Sequence, residues 1–379
     1  MLGDLGADVI KIERPGVGDE ARGYGPALGG KSEGAMYVSA NRNKRSVAID
    51  LSLPAGQALV RDLIARSDVL IENYKAGTLA AYGLDHEAVA SLNPQLVYCS
   101  ITGFGQQGPY AQRPGYDTLF QAQSGMMSLT GMPDEAADGG PLRVGFAMVD
   151  VMVAHQAVIA IQAALIERSR SGQGQYIDMA LLDGAIAALS HVAQGWLFDG
   201  RQPPRLGNGA GAGAGPAEVL QCSDGPVYVT APSDALFRRL SGAIGRAELT
   251  SDARFLTSRL RAAAREELRN ILTSWTQIRS RHVVVETLVA AGVPAGPVND
   301  LGQALSDPHA LAHQVTVPAP HPHDPDMELL SSPLHLARTP PRVKLPPPLL
   351  GQHTDEVLQQ VLGLDAQTVA ALRREGVVA

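Results

Sequence analysis

Short apolar runs alternate with amphipathic stretches along the first hundred residues. Residues 7–13 (ADVIKIE), 45–51 (RSVAIDL), 68–73 (DVLIEN) and 95–102 (QLVYCSIT) read as strands. Between the second and third, Ser52 offers a helix cap, Pro54 suits a first turn, and Ala58, Leu59, Leu63 and Ile64 form an apolar stripe at helical spacing. Between the third and fourth, Asp85 caps a short helix ending near Leu92. Strands about 25 residues apart with helices between them predict a parallel α/β sheet, and such sheets bind ligands beyond the carboxyl ends of their strands. Those ends carry Arg14, Ser52, Asn73-Tyr74-Lys75 and Gly103-Phe104-Gly105.

Residues 117–129 have a helical pattern, and a loop with Pro133, Gly139, Gly140 and Pro141 follows. After the segment RVGFAMVD, a long apolar helix extends through Glu167, then a strand over 175–180 and a helix through Gln194. The stretch from about 200 to 217, rich in Gly, Ala and Pro, reads as a loop or linker. Beyond it, Leu220-Gln221-Cys222 and Val227-Tyr228-Val229 flank Ser223-Asp224-Gly225-Pro226, a hairpin signal, and helical segments over 234–292 complete a second, smaller domain. A proline-rich stretch over 318–348 leads to a capped helix near Thr354. The chain opens (LGDLGA) as if inside the tail of a helix. The strand and glycine turn that a doubly wound sheet puts before that helix are missing, which predicts a start upstream of Met1.

Composition adds little until it is resolved by position. The 379 residues carry a net charge of −7 and are 45% hydrophobic, the balance of an ordinary soluble protein, and nothing in it points to nucleic acid or a membrane surface. Four of the five lysines (Lys11, Lys31, Lys44, Lys75) fall in the first 75 residues with Arg14, Arg42 and Arg45. This is either a solvated basic face or a field suited to a small polyanion. Two cysteines are too few for a disulfide framework, Cys99 lies in an apolar run, and the opening lacks the pattern of a signal peptide, so a reduced cytoplasmic setting is expected. The most apolar stretch, 151–166, contains His155 and Gln156 and reads as too short to span a bilayer.

Among residues that could carry chemistry, Asp150 stands out. It reads as standing directly before an apolar helix, where a carboxylate meets unsatisfied N–H groups and the positive end of the helix dipole. That position suits an ordinary N-cap or an ionised carboxylate nucleophile, and position alone does not choose. The glycine-bearing approach Val144-Gly145-Phe146 would let another molecule come close. The segment HPHDPD (321–326) reads as a solvated loop rather than a metal site. Gly207, Gly209, Gly211 and Gly213 follow no strand and make no dinucleotide fingerprint.

Eight segments in order along the chain complete the reading: ADVIKIERPGVGDEAR, NRNKRSVAIDL, DVLIENYKAGTLAAYGLD, NPQLVYCSITGFGQQGPY, GYDTLFQAQSGMMSLTG, RSGQGQYIDMALLDG, AGVPAGPVNDL and PLLGQHTDEVL. Together they resemble the family III CoA-transferases, the group that includes carnitine CoA-transferase, formyl-CoA transferase and alpha-methylacyl-CoA racemase. The resemblance implies a Rossmann-like α/β domain built from both chain ends, a smaller α+β domain from the middle, and two ring-shaped protomers interlocked as a homodimer. On that plan residues 1–198 begin the large domain without its first strand and 199–217 form a linker or flap. The small domain is 218–300, and 301–379 return to the large one.

The resemblance also assigns residues. Asp150 matches the family's catalytic aspartate. Arg14 matches a CoA-contacting arginine, and the segment from Ile49 to Ser52 a backbone stretch beside the nucleotide. Asn73, Tyr74 and Lys75 match a segment lining adenine and phosphates, and Gly115, Tyr116 and Asp117 a loop near the pantetheine arm. It implies no prosthetic group and no metal. A coenzyme A thioester is the substrate, with a carboxylic acid as acceptor, and the route passes through an aspartyl-CoA thioester at Asp150. The same resemblance leaves three other readings: a 2-methylacyl-CoA racemase or epimerase, an intramolecular CoA-transferase, and a truncated, inactive CoA-binding protein.

Overall fold

The computed structural model describes residues 1–30, 33–209 and 215–379; Gly211 and Gly213 of the expected loop or linker lie outside them, as does Lys31. The chain divides into two compact units, Met1–Phe120 with Ala147–Ala188 and Leu305–Ala379, and Gln121–Phe146 with Leu189–Ala304.

In the first unit, five parallel strands form two groups. β1 (Val9–Glu13) pairs with β2 (Lys44–Ala48) from Val9↔Lys44 to Glu13↔Ala48. β3 (Val69–Glu72), β4 (Val97–Thr102) and β5 (Tyr176–Ala180) lie in that order. Four fall inside the runs read as strands and β2 begins one residue before its run, at Lys44; the runs were visible because buried parallel strands are near-continuous apolar segments. One core joins both groups. Val47 and Ile49 pack with Leu96 and Tyr98, and with Leu59, Val60, Leu63 and Ile64 of helix α1 (Pro54–Ile64) and Val357 and Leu358 of the helix Thr354–Gln360. Each such side chain, taken fully out of water, contributes about 1.5–3 kcal/mol before entropy is counted.

The other face of β4 is covered by α2 (Met148–Ser171), whose Ala157, Ile161 and Ala164 pack on Val97 and Cys99. At 24 residues α2 is longer than its apolar run suggested, because Glu167, Arg168 and Arg170 extend it, and by length and composition it could cross a bilayer. Its 149, 153, 157, 161 and 164 stripe is buried within the unit, as in a core helix.

Three local expectations need correction. Ser52 does not cap α1. The N-cap is Leu53, without a side-chain bond, and both the N–H and the hydroxyl of Ser52 donate to Asp50 at 2.8 and 2.6 Å. The 117–129 helix is two, Asp117–Gln123 and Met126–Leu129, broken at Gly125, whose φ is +92°. The HPHDPD segment is not simply solvated. His321 is only 4% exposed, its Nδ1 accepts the N–H of His323, burial lowers its pKa, and His323 Nδ1 lies 2.6 Å from Glu33. Among the described residues, no group of three His, Cys, Asp or Glu is placed to hold a metal ion.

The second unit is built on an antiparallel sheet. β6 (Ala217–Cys222) and β7 (Gly225–Thr230) form the expected hairpin through the Ser223–Asp224 turn, with β8 (Ala295–Pro297) on the other side of β7. The helices Asp234–Ala243, Arg265–Thr276 and Arg281–Ala290 close a core containing Phe237, Phe255, Leu268 and Leu288. Arg261 is buried there and donates to the carbonyls of Gly215 and Phe255 and to Asp234. In this unit too, Gln121 accepts from the N–H of Val144 at 2.8 Å and donates to the carbonyl of Phe146 at 3.2 Å, fixing the irregular segment that precedes α2.

Candidate active site

Asp150 lies inside the first turn of α2, not before it. Met148 is the first helical residue, and the N-cap, Ala147, has no side chain able to accept. The cap comes from elsewhere. Asp117 is 8% exposed, and its Oδ2 accepts the N–H groups of Val149 at 2.7 Å and of Asp150 at 3.1 Å. Asp117, expected beside the pantetheine arm, is therefore the acceptor for the helix that bears Asp150, and two of the N–H groups expected to be unsatisfied there are already taken.

The consequence for Asp150 is electrostatic. Its carboxylate is open to solvent, yet the protein packed around it pushes its pKa up, and the charge of Asp117 adds to the push. The expectation that helix donors would hold it ionised is thus reversed, because Asp117 takes them. A carboxylate raised in this way is more basic, and so more nucleophilic when ionised, than one locked in an ion pair.

The loop leading to Asp117 is set by one aromatic ring. A Cβ on Gly115 would lie 2.3 Å from the Phe120 ring, and one on Gly103 2.6 Å from it, so only glycine fits at either position. Tyr116, between Gly115 and Asp117, is 78% exposed. Gln112 in the same loop reaches the carbonyl of Ala76 at 3.4 Å, which ties this loop to the Asn73-Tyr74-Lys75 turn.

Three of the six described cations of the basic group in the first 75 residues are neutralised by ion pairs. Lys11 pairs with Asp19 at 2.6 Å, Arg42 with Asp4 at 2.8 Å, and Arg45 with Asp8 and Glu356. Lys44 turns inward to Asn41, and burial, with Lys11 nearby, lowers its pKa to about 8. Of the described members of that group, this leaves Arg14 and Lys75, both exposed and in no ion pair. Arg14 follows β1 and its charge reaches Asp50, in the segment from Ile49 to Ser52 after β2, while Lys75 follows β3 beside the half-exposed ring of Tyr74. Ile49 itself is buried, so only its backbone is on offer.

Behind Arg14 lies a network the sequence gave no sign of. Arg22, buried, donates to both oxygens of Glu13 at 2.9 Å and to Tyr37, and pairs with Glu33 at 3.4 Å. The only sequence signal was an Arg in a loop rich in glycine.

With this geometry in hand, the relatives fall into place. The family model for CoA-transferase family III matches residues 1–354. The chain belongs to CoA-transferase family III and is an enzyme that transfers coenzyme A. It is 42% identical over 366 residues to a succinate–glutarate CoA-transferase of Agrobacterium fabrum, covering 95% of this chain and 90% of that one. It is 36% identical over 377 residues to the human succinyl-CoA:glutarate CoA-transferase, covering 100% of this chain and 85% of the relative. A crystal structure of a CaiB/BaiF family protein from Brucella suis superposes with a TM-score of 0.85 at 39% identity, over 95% of this chain and 93% of that one. The mixed α/β fold with parallel sheets is the fold of that group.

Proposed function

We propose that this enzyme moves coenzyme A from an acyl-CoA donor to a carboxylic acid through an aspartyl-CoA thioester at Asp150, with succinate- and glutarate-type dicarboxylic acids as its substrates. The observation that carries the mechanism is the environment of Asp150: an accessible carboxylate with no cation beside it among the described residues, at the start of a helix whose end is fixed by Asp117. The substrate class follows the relatives' activities.

Asp150 attacks the thioester carbonyl of the donor, the C–S bond breaks, and a mixed anhydride and the CoA thiolate form. The thiolate then attacks the aspartyl carbonyl and expels the donor's carboxylate, leaving the aspartyl-CoA thioester. The acceptor's carboxylate attacks that thioester, and the released thiolate attacks the acyl carbonyl of the new anhydride, giving the product acyl-CoA and a free Asp150. One thioester is exchanged for another, so no outside energy source is required, and each transfer is split into easier steps. Arg14 and Lys75 would meet the phosphates, Tyr74 the adenine and the backbone from Ile49 to Ser52 the nucleotide, while Gly115 and Tyr116 would lie along the pantetheine arm.

The working assembly is a homodimer of interlocked, ring-like protomers in the cytoplasm. Trp196, Leu197 and Phe198 are consecutive, and all three are more than half exposed, the largest 81%. An exposed apolar patch of that kind fits a subunit contact.

Intact-mass spectrometry of the enzyme mixed with succinyl-CoA, without acceptor, tests the mechanism. A CoA adduct on Asp150 is expected, discharged by glutarate and absent from Asp150→Ala. A folded, CoA-binding enzyme that never forms the adduct would remove Asp150 from the role of nucleophile.

A further inference from the structure

We propose that Glu72 is a positioning residue for the nucleotide half of coenzyme A, acting through the Asn73-Tyr74-Lys75 turn together with Ser100 and Asp178. The inference rests on the reading above that this turn lines the nucleotide.

Glu72, Ser100 and Asp178 are directly opposite one another on three neighbouring strands, Glu72↔Ser100 between β3 and β4 and Ser100↔Asp178 between β4 and β5. Partners in a parallel ladder point to the same face, so the three side chains make one polar row near the carboxyl end of the sheet. The preceding row, Ile71, Cys99 and Ile177, points the other way, and Cys99 and Ile177 pack in the core under α2.

Each acid in the row shapes one loop. Glu72 Oε2 accepts the N–H of Tyr74 at 2.8 Å, folding the turn back over the strand end, and Glu72 is also hydrogen-bonded to Ser100. Asp178 Oδ2 accepts the N–H of Gln106 at 2.9 Å, just after Gly105, which has a φ of +81° and where a Cβ would lie 3.6 Å from that carboxylate oxygen. Neither acid has an arginine or lysine partner among the described residues. Burial, with the charge of Asp178, pushes the pKa of Glu72 up against the pull of Ser100 and Tyr74. A half-buried carboxylate without a cation is costly to keep. What it does here is hold the Tyr74 N–H in the turn that also carries Lys75, and Ser100 links it to the row whose Asp178 holds the N–H of Gln106.

The test compares succinyl-CoA with succinyl-pantetheine, which lacks the nucleotide. Glu72→Ala is expected to raise KM for succinyl-CoA about tenfold with kcat nearly unchanged, the scale of one lost charge-assisted hydrogen bond, and to leave kcat/KM for succinyl-pantetheine as it was. Glu72→Gln, whose amide oxygen can still accept from Tyr74, is expected to restore KM. If the alanine variant does not fold, Glu72→Asp, too short to reach Tyr74, takes its place. Equal losses on both substrates, or none, overturn the positioning role. Tyr74→Ala separates the two ideas. If it discriminates between the substrates while the Glu72 variants do not, only the role of Glu72 falls. If it does not discriminate either, the reading of the turn falls and takes this inference with it.

Discussion

Two carboxylates in the first unit have opposite fates. Glu13 is almost wholly buried, and burial alone would push its pKa up. Arg22 on both its oxygens, and Ser46, outweigh that and bring it below the ordinary range. Asp150 is exposed, has no cation beside it among the described residues, and its pKa is pushed up by its surroundings and by Asp117. The first is a strut. Its charge is used up inside the protein, and the network it belongs to fixes the loop that begins at Arg14. The second is kept unpaired where a substrate can reach it, and the structural work at its helix end is delegated to a different aspartate. The charge of Glu13 is neutralised within the protein, whereas that of Asp150 is left unspent, as its proposed role as nucleophile requires.

The sharpest way to break the contrast is at Arg22. Arg22→Met would leave Glu13 and Glu33 buried without their shared cation, a loss of about 3–5 kcal/mol of stability read from the urea midpoint. A loss below about 1 kcal/mol would mean that Arg22 is not what neutralises Glu13. At the other carboxylate, Asp117→Ala leaves two helix N–H groups without their acceptor. About 1 kcal/mol of stability and roughly tenfold in kcat are expected to go. Asp117→Asn, which keeps an accepting oxygen, should recover most of the stability.

The smallest effect is in pH. Because the pKa of Asp150 is raised, the acid limb of kcat/KM should lie above the ordinary carboxylate value of about 4. Asp117→Asn should move it down, but only part of the way, since burial rather than Asp117 is the main cause. The signs for stability oppose each other. The contribution of Glu13, whose pKa is depressed by folding, is present above its unfolded pKa and disappears as pH falls through the folded one. That of Asp150, whose pKa is raised, is full at low pH and is lost as pH rises through the folded value.

The strands were legible because a parallel strand covered on both faces leaves a run of β-branched and aliphatic residues, and Val47, Val97 and Cys99 are such positions. The turns at the strand ends, and Asp150 as the acid at the head of the long helix, were legible for the same reason: the pattern marks where a strand stops and a helix begins. What the sequence did not reveal are partnerships across distance. Asp117 caps a helix more than thirty residues away. Ser52 looked like a cap because the nearby Asp50, which claims it, carries no signal of doing so. Seven cations close together read as one basic field, and among the described ones only ion pairs and the burial of Lys44 set Arg14 and Lys75 apart. His321 sits in a proline-rich segment typical of the surface, and nothing local says that another part of the unit covers it.

The ring of Phe120 pins both ends of the loop between Gly103 and Gly115. Closing a loop costs entropy that grows only slowly with its length, and here the closure is made by a side chain outside the loop itself. Between those ends the span is tied at two further points, Gln106 to Asp178 and Gln112 to the carbonyl of Ala76, so a change of length between these anchors is expected to be absorbed locally, without shifting Asp117 or the helix it caps.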